Sequence, residues 1–166
     1  ARGRAACRQG QVVAGGGGGA VGPPDAPGPA TVLGVIDNPQ RTHAAIKLGR
    51  SLGLSGMWGF DFILEARSGS TFLIEVNPRA TPICHLQLGA GHDLPAALLE
   101  QLTNARPVSP RPALESHVIA MFPGEWRRDR ASLHLHSAYH DVPRNEPALL
   151  RACLATPWDP RAGMPR

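Results

Sequence analysis

Asp61, Glu75, Asn77 and Arg79 are the residues of this chain whose types and spacing best suit chemistry. Two carboxylates, a carboxamide and a guanidinium lie in or beside two short apolar runs, "MWGFDFILE" (57–65) and "TFLIEVN" (71–77), with Ser68-Gly69 between them. Both runs alternate, as the strands of a hairpin do. Trp58, Phe60, Phe62 and Leu64 share one face, and Gly59, Asp61, Ile63 and Glu65 the other. A three-residue loop, Arg67-Ser68-Gly69 with Gly69 left-handed, sets Asp61 opposite Glu75 and Gly59 opposite Asn77. A two-residue loop would turn Asp61 toward Val76 instead. Two carboxylates about 5 Å apart repel by about 3 kcal/mol at an effective dielectric near ~20, so such a pair shares a proton or holds a cation. Magnesium takes hard oxygen ligands, often one or two carboxylates plus substrate phosphates. The Asn77 carbonyl adds a third protein oxygen, the glycine at 59 leaves space beside that amide, and Arg79 adds a planar donor for phosphate or carboxylate. Together the four predict a magnesium–nucleotide site. Either acid alone reads as a solvated residue on an open sheet face.

The elements that must position these residues start with "TVLGVID" (31–37), a β-branched run. Asn38 then offers an N-cap and Pro39 a first helical residue, and the helix runs to Leu52 with Gly53 as its stop. Its apolar stripe is Ala44/Ala45, Leu48 and Leu52. Pro78 lacks the N–H a strand ladder needs and ends the second hairpin strand. Asp93 caps a second helix through "LPAALLEQLTN", with Leu94, Leu98 and Leu102 on one stripe. "ARPVSPRPA" is a connector, "SHVIAMF" (116–122) a strand, and "EPALLRACLA" (146–155) a short helix.

Residues 1–29 differ in kind. "GGGGG" and "GPPDAPGP" lose much chain entropy on ordering and have little to bury, so the segment is expected to be disordered, with "VVA" at 12–14 as a strand remnant. The last eleven residues, 156–166, are expected to fray. The ordered domain is therefore expected over 30–155.

Composition narrows the class. The chain has 166 residues and a net charge of +4, and of its 17 basic residues only Lys47 is a lysine. The arginines are scattered, without a run or interleaved aromatics, which speaks against nucleic acid. Three separated cysteines show neither a disulfide framework nor zinc spacing. No apolar run approaches the length of a membrane span, and the N-terminal stretch lacks a signal-peptide core. A cytoplasmic protein is the expectation.

"GFDFILEARSGSTFLIEVNPRATPICHLQLGAGHDLPAALLEQL" resembles the C-terminal part of ATP-grasp ligases, and "GPATVLGVID" (28–37) fits the same family apart from Gly34, where an arginine is expected. The similarity covers residues 28–104. The resemblance implies an α+β fold: the C-terminal subdomain of an ATP-grasp fold, an antiparallel sheet with flanking helices, incomplete. It implies a ligase that uses ATP with Mg2+ (or Mn2+) to turn a carboxylate into an acyl phosphate for attack by an amine or another nucleophile. On that pattern Asp61, Glu75 and Asn77 are metal ligands, and Arg79 contacts phosphate and substrate. The family also has an N-terminal half that grips the nucleotide with lysines, whereas Lys47 lies downstream of the positions expected for them. The resemblance therefore implies a missing N-terminal half or a homodimer as partner, alongside ATP and a carboxylate. The alternatives from other classes are a non-catalytic binding fragment and a basic nucleic-acid module.

Weaker candidates have plainer readings. Side chains of adjacent residues diverge, so Cys84-His85 is not a nucleophile pair, although His85 and Thr81 are placed to line a substrate side. "GAGHD" (89–93) reads first as a capped turn and only second as an anion site. The histidines of "LHLHSAYHD" (133–141) lack Cys or Glu at ligand spacing for zinc.

Overall fold

The computed structural model describes residues 1–21, 29–36, 38–65, 67–88, 92–104 and 116–155. The expectations for residues 22–28, 89–91, 105–115 and 156–166, including the frayed tail and the proline-broken connector, fall outside these. The chain is mixed α+β and divides into two units: Ala1–Gly19 with Val35–Glu115, and Ala20–Gly34 with Ser116–Arg166.

The largest departure from expectation is at the N-terminus, where order replaces disorder. Strand β1 (Arg2–Arg8) and strand β2 (Gln11–Ala20) form an antiparallel hairpin. Gln9 and Gly10 make its two-residue turn, both with positive φ (47° and 84°), the backbone that matches strand twist. The glycine run survives as a strand because large side chains need the space. A Cβ on Gly17 would sit 3.0 Å from the Arg41 guanidinium. One on Gly16 would meet His92 Nδ1 at 3.1 Å and Arg4 Nη2 at 3.3 Å. Composition argued for disorder; packing from both sides of the sheet offsets the entropy that argument weighed.

Helix α1 (Pro39–Leu52) has the expected ends. The Asn38 side chain accepts from the N–H groups of Gln40 (3.0 Å) and Arg41 (3.2 Å), and Gly53 takes the left-handed conformation (φ 60°). Its buried stripe is Arg41, Ala45 and Gly49, whereas Leu52 is exposed. Lys47 is also exposed. Arg41 enters the stripe because its guanidinium donates to the carbonyls of Ile36 (3.0 Å), Arg2 and Gly18 (3.4 Å each).

Strand β3 (Val32–Val35) falls where expected. Strands β4 (Gly56–Leu64) and β5 (Thr71–Asn77) form the expected hairpin, and β4 pairs antiparallel with β1. In the first unit the strand order is therefore β5-β4-β1-β2. Ala5, Cys7, Phe60 and Phe62 bury one face of these strands with Ala45 and Leu54. Ala6 and Ala14 bury the other with Cys84 and with Leu94 of helix α2 (Leu94–Thr103). Asp93 caps α2 as expected, accepting from Ala96 N–H at 3.0 Å. Leu102 of the expected stripe is exposed.

In the second unit β3 pairs antiparallel with strand β6 (Val118–Ala120), which pairs parallel with strand β7 (Tyr139–His140). Helices α3 (Gly124–Arg128), α4 (His134–Ser137) and α5 (Pro147–Ala155) complete it. Its polar centre is Glu125, fully buried. The carboxylate accepts from Thr31 Oγ1 (2.5 Å), from Arg128 Nε (2.9 Å) and Nη2 (2.6 Å), and from the Ser132 hydroxyl.

Among the described residues no helix is long and apolar enough to cross a membrane.

Candidate functional site

The register of the β4–β5 hairpin sets Asp61 opposite Glu75 and Gly59 opposite Asn77. The expected pairing is thus present, but by a different device. The hairpin closes on Glu65 and Ser70, whose N–H and C=O bond at 2.9 Å, so the loop is one residue longer than the three-residue loop expected. Phe62, Ile63 and Leu64 pair with Leu73, Phe72 and Thr71, and the ladder shifts between Phe62 and Asp61. The shift leaves Ile74 as an extra residue on β5, and this bulge restores the acids to one face. Gly69 is left-handed (φ 70°), as expected.

Asn77 Nδ2 donates to Asp61 Oδ2 at 3.4 Å. Glu75 is exposed and has no side-chain partner among the described residues. Arg79 is exposed past the end of β5; its N–H donates to the Asn77 carbonyl (2.9 Å) and its guanidinium to Ala80 O (3.5 Å). The fold therefore gathers Asp61, Glu75 and Asn77, while the Arg79 guanidinium makes its hydrogen bond to Ala80 O instead.

Two residues of this face escape the sequence reading because they lie in the segment read as disordered. β1 pairs Arg2 with Asp61 and Arg4 with Gly59. Directly opposed residues share a face, so Arg2 and Arg4 join the acids. Arg2 Nε lies 3.5 Å from Asp61 Oδ1. The signal that finds this strand is the alternation in "RGRAACR" followed by Gln-Gly and "QVVA", a hairpin signature. Arg4 is 4% exposed. Burial pulls its guanidinium below the usual arginine value.

The space beside Asn77 is not open. A Cβ on Gly59 would lie 2.3 Å from Thr81 Cγ2, so Thr81 fills that space with its methyl group. Thr81 is held there by Cys84: its N–H donates to Cys84 Sγ (3.3 Å), and its hydroxyl lies 3.4 Å from the same sulfur. Cys84 N–H returns to Thr81 O at 3.1 Å. Ile83, buried between them, sits at φ 67°, a costly conformation for a β-branched residue. Cys84 is buried and His85 exposed, so the two side chains do diverge.

The donor set has two carboxylates and one amide. It is too small for an all-protein cage and suits a hard cation that keeps water or phosphate ligands. No group of three or more His, Cys, Asp or Glu that could hold a metal occurs among the described residues. In comparisons with known proteins, no family model and no curated protein matches this chain.

Proposed function

We propose that this chain carries the metal- and phosphate-binding face of an ATP-grasp-type ligase, which uses ATP to convert a carboxylate into an acyl phosphate. The observation that carries the reading is the pairing of Asp61 with Glu75 and Gly59 with Asn77 on a face that also holds Arg2 and Arg4. Asp61, Glu75 and Asn77 hold Mg2+ (or Mn2+). Bound there, the ion neutralises charge on the transferred phosphate. Arg2 fixes the Asp61 carboxylate across the strand pair. Arg79, exposed at the strand end, binds phosphate oxygens. In the reaction the substrate carboxylate attacks the γ-phosphorus of ATP and ADP departs. An amine or other nucleophile then attacks the acyl carbon, and inorganic phosphate leaves.

Titration of the full chain with Mn2+ alone, read by its electron-spin signal, tests the metal site. Glu75→Gln is expected to weaken binding by roughly tenfold or more, about 1.4 kcal/mol. Equal binding by both proteins, or none by either, removes the proposal.

One observation favours a second reading, a non-catalytic fragment whose acids are structural: Arg2 already supplies Asp61 with a cation. Arg2→Gln separates the two. On the metal reading it strengthens Mn2+ binding, because a competing positive charge is gone. On the structural reading it costs up to about 1 kcal/mol of stability and leaves Mn2+ unbound.

A further inference from the structure

Arg4 is the least accounted-for side chain of the first unit. Its Nε and Nη2 atoms are buried without a hydrogen-bond partner among the described residues. Burying an arginine, which stays charged, without a partner is among the costliest arrangements a core can hold. A buried polar group without a partner calls for an explanation such as a bound ion or water. Nε and Nη2 are not an arbitrary pair. They form the side-on fork of the guanidinium, whose two parallel N–H groups match two oxygens of a carboxylate or phosphate.

The surroundings agree. Arg4 lies between Gly16 of β2 and Gly59 of β4, with Asn77 next across the sheet. A Cβ on Gly16 would stand 3.1 Å from His92 Nδ1 and 3.3 Å from Arg4 Nη2, and His92 Nδ1 hydrogen-bonds the Gly15 carbonyl. Glycine at 16 leaves the room that Arg4 and His92 take, and no acceptor for the fork occurs among the described residues. Asp61, the nearest acid along the face, is engaged by Arg2 and Asn77.

We propose that Arg4 anchors a small oxyanion, a carboxylate or a phosphate group, through its Nε/Nη2 fork. The inference rests on the reading above for the identity of the face, but the fork requires no metal. The acid substrate and the phosphate chain of a nucleotide are the two sources of such a group.

The test uses metal-free, chloride-matched buffer. Inorganic phosphate and, separately, acetate are titrated into the wild-type chain and Arg4→Met. Tm and the Arg4 Nε–H cross-peak of the 15N-labelled protein are recorded. One of the two anions is expected to shift the cross-peak and raise the wild-type Tm by roughly 3–5 °C at about ten times its Kd. Arg4→Met is expected to lack the response and, without anion, to be at least as stable as wild type, since it removes an unpaired charge. A response to phosphate assigns the nucleotide side, and a response to acetate the acid side. A cross-peak that neither anion moves, or a full response in Arg4→Met, overturns the proposal; if the variant does not fold, the wild-type cross-peak decides alone. Glu75→Gln is expected to keep the metal-free anion response while binding Mn2+ more weakly, so the two proposals fail separately.

Discussion

Glycine at 59 is set by a single methyl group. Thr81 Cγ2 lies 2.3 Å from the place a Cβ would take, and Asn77 Cβ 3.4 Å from it. Gly59→Ala therefore has to push the segment after β5 off the sheet, at a cost of about 1–3 kcal/mol typical of overpacking. Thr81→Ser keeps the hydroxyl beside Cys84 and deletes the clashing methyl. The double variant is expected to recover most of the loss in urea midpoints. A coupling below about 0.5 kcal/mol in the double-mutant cycle would show that the two sites act independently. Gly59 was legible in the sequence only as a space beside Asn77. That Thr81 fills the space depends on how the chain returns after Pro78, and nothing local specifies that path.

Among the elements, α1 is the one whose limits local chemistry defines most completely. Asn38, Pro39 and Gly53 do what their types predict, because capping uses contacts within a few residues. Asn38→Ala removes the acceptor for two N–H groups and is expected to cost about 1 kcal/mol by chemical denaturation, with the helix otherwise unchanged. Asn38→Asp, which keeps the acceptor, is expected to cost little. The hairpin teaches the opposite lesson. Its pairing at the acids was predicted from a three-residue loop, yet it arises from a longer loop and a bulge at Ile74. A ladder reports only the sum of loop and bulge, so two routes lead to one register.

For the whole molecule, one acid-sensitive network lies in the second unit. Burial pushes the Glu125 carboxyl up, but hydrogen bonds from Arg128, Ser132 and Thr31 outweigh it and hold the pKa at about 2, below the ordinary 4.5. A carboxyl held low stabilises the folded state fully above the unfolded value and loses that contribution as pH falls through the folded one. The second unit is thus expected to weaken between about pH 4.5 and pH 2, read as falling urea midpoints. Arg128→Ala removes the two-point partner and is expected to cost about 2–3 kcal/mol at pH 7 and to flatten the acid slope. An unchanged slope would mean that other carboxylates govern acid unfolding. The sequence offered no sign of this network: Thr31 and Glu125 are 94 residues apart and only tertiary packing joins them.

By itself the sequence determined the local features: the capped helices, the strands around Asp61 and Glu75, and the face that gathers them with Asn77. Period, cap and turn residues act over a few positions, so they can be read in order. The tertiary structure alone decided that a glycine-rich stretch becomes β2, that β1 places Arg2 against Asp61, and that Arg4 is buried beside Gly59. Those outcomes turn on whether side chains from distant elements, Arg41 and His92 among them, need the room that glycines leave. Composition records the entropy such a segment loses on ordering and is silent about the partners that compensate for it.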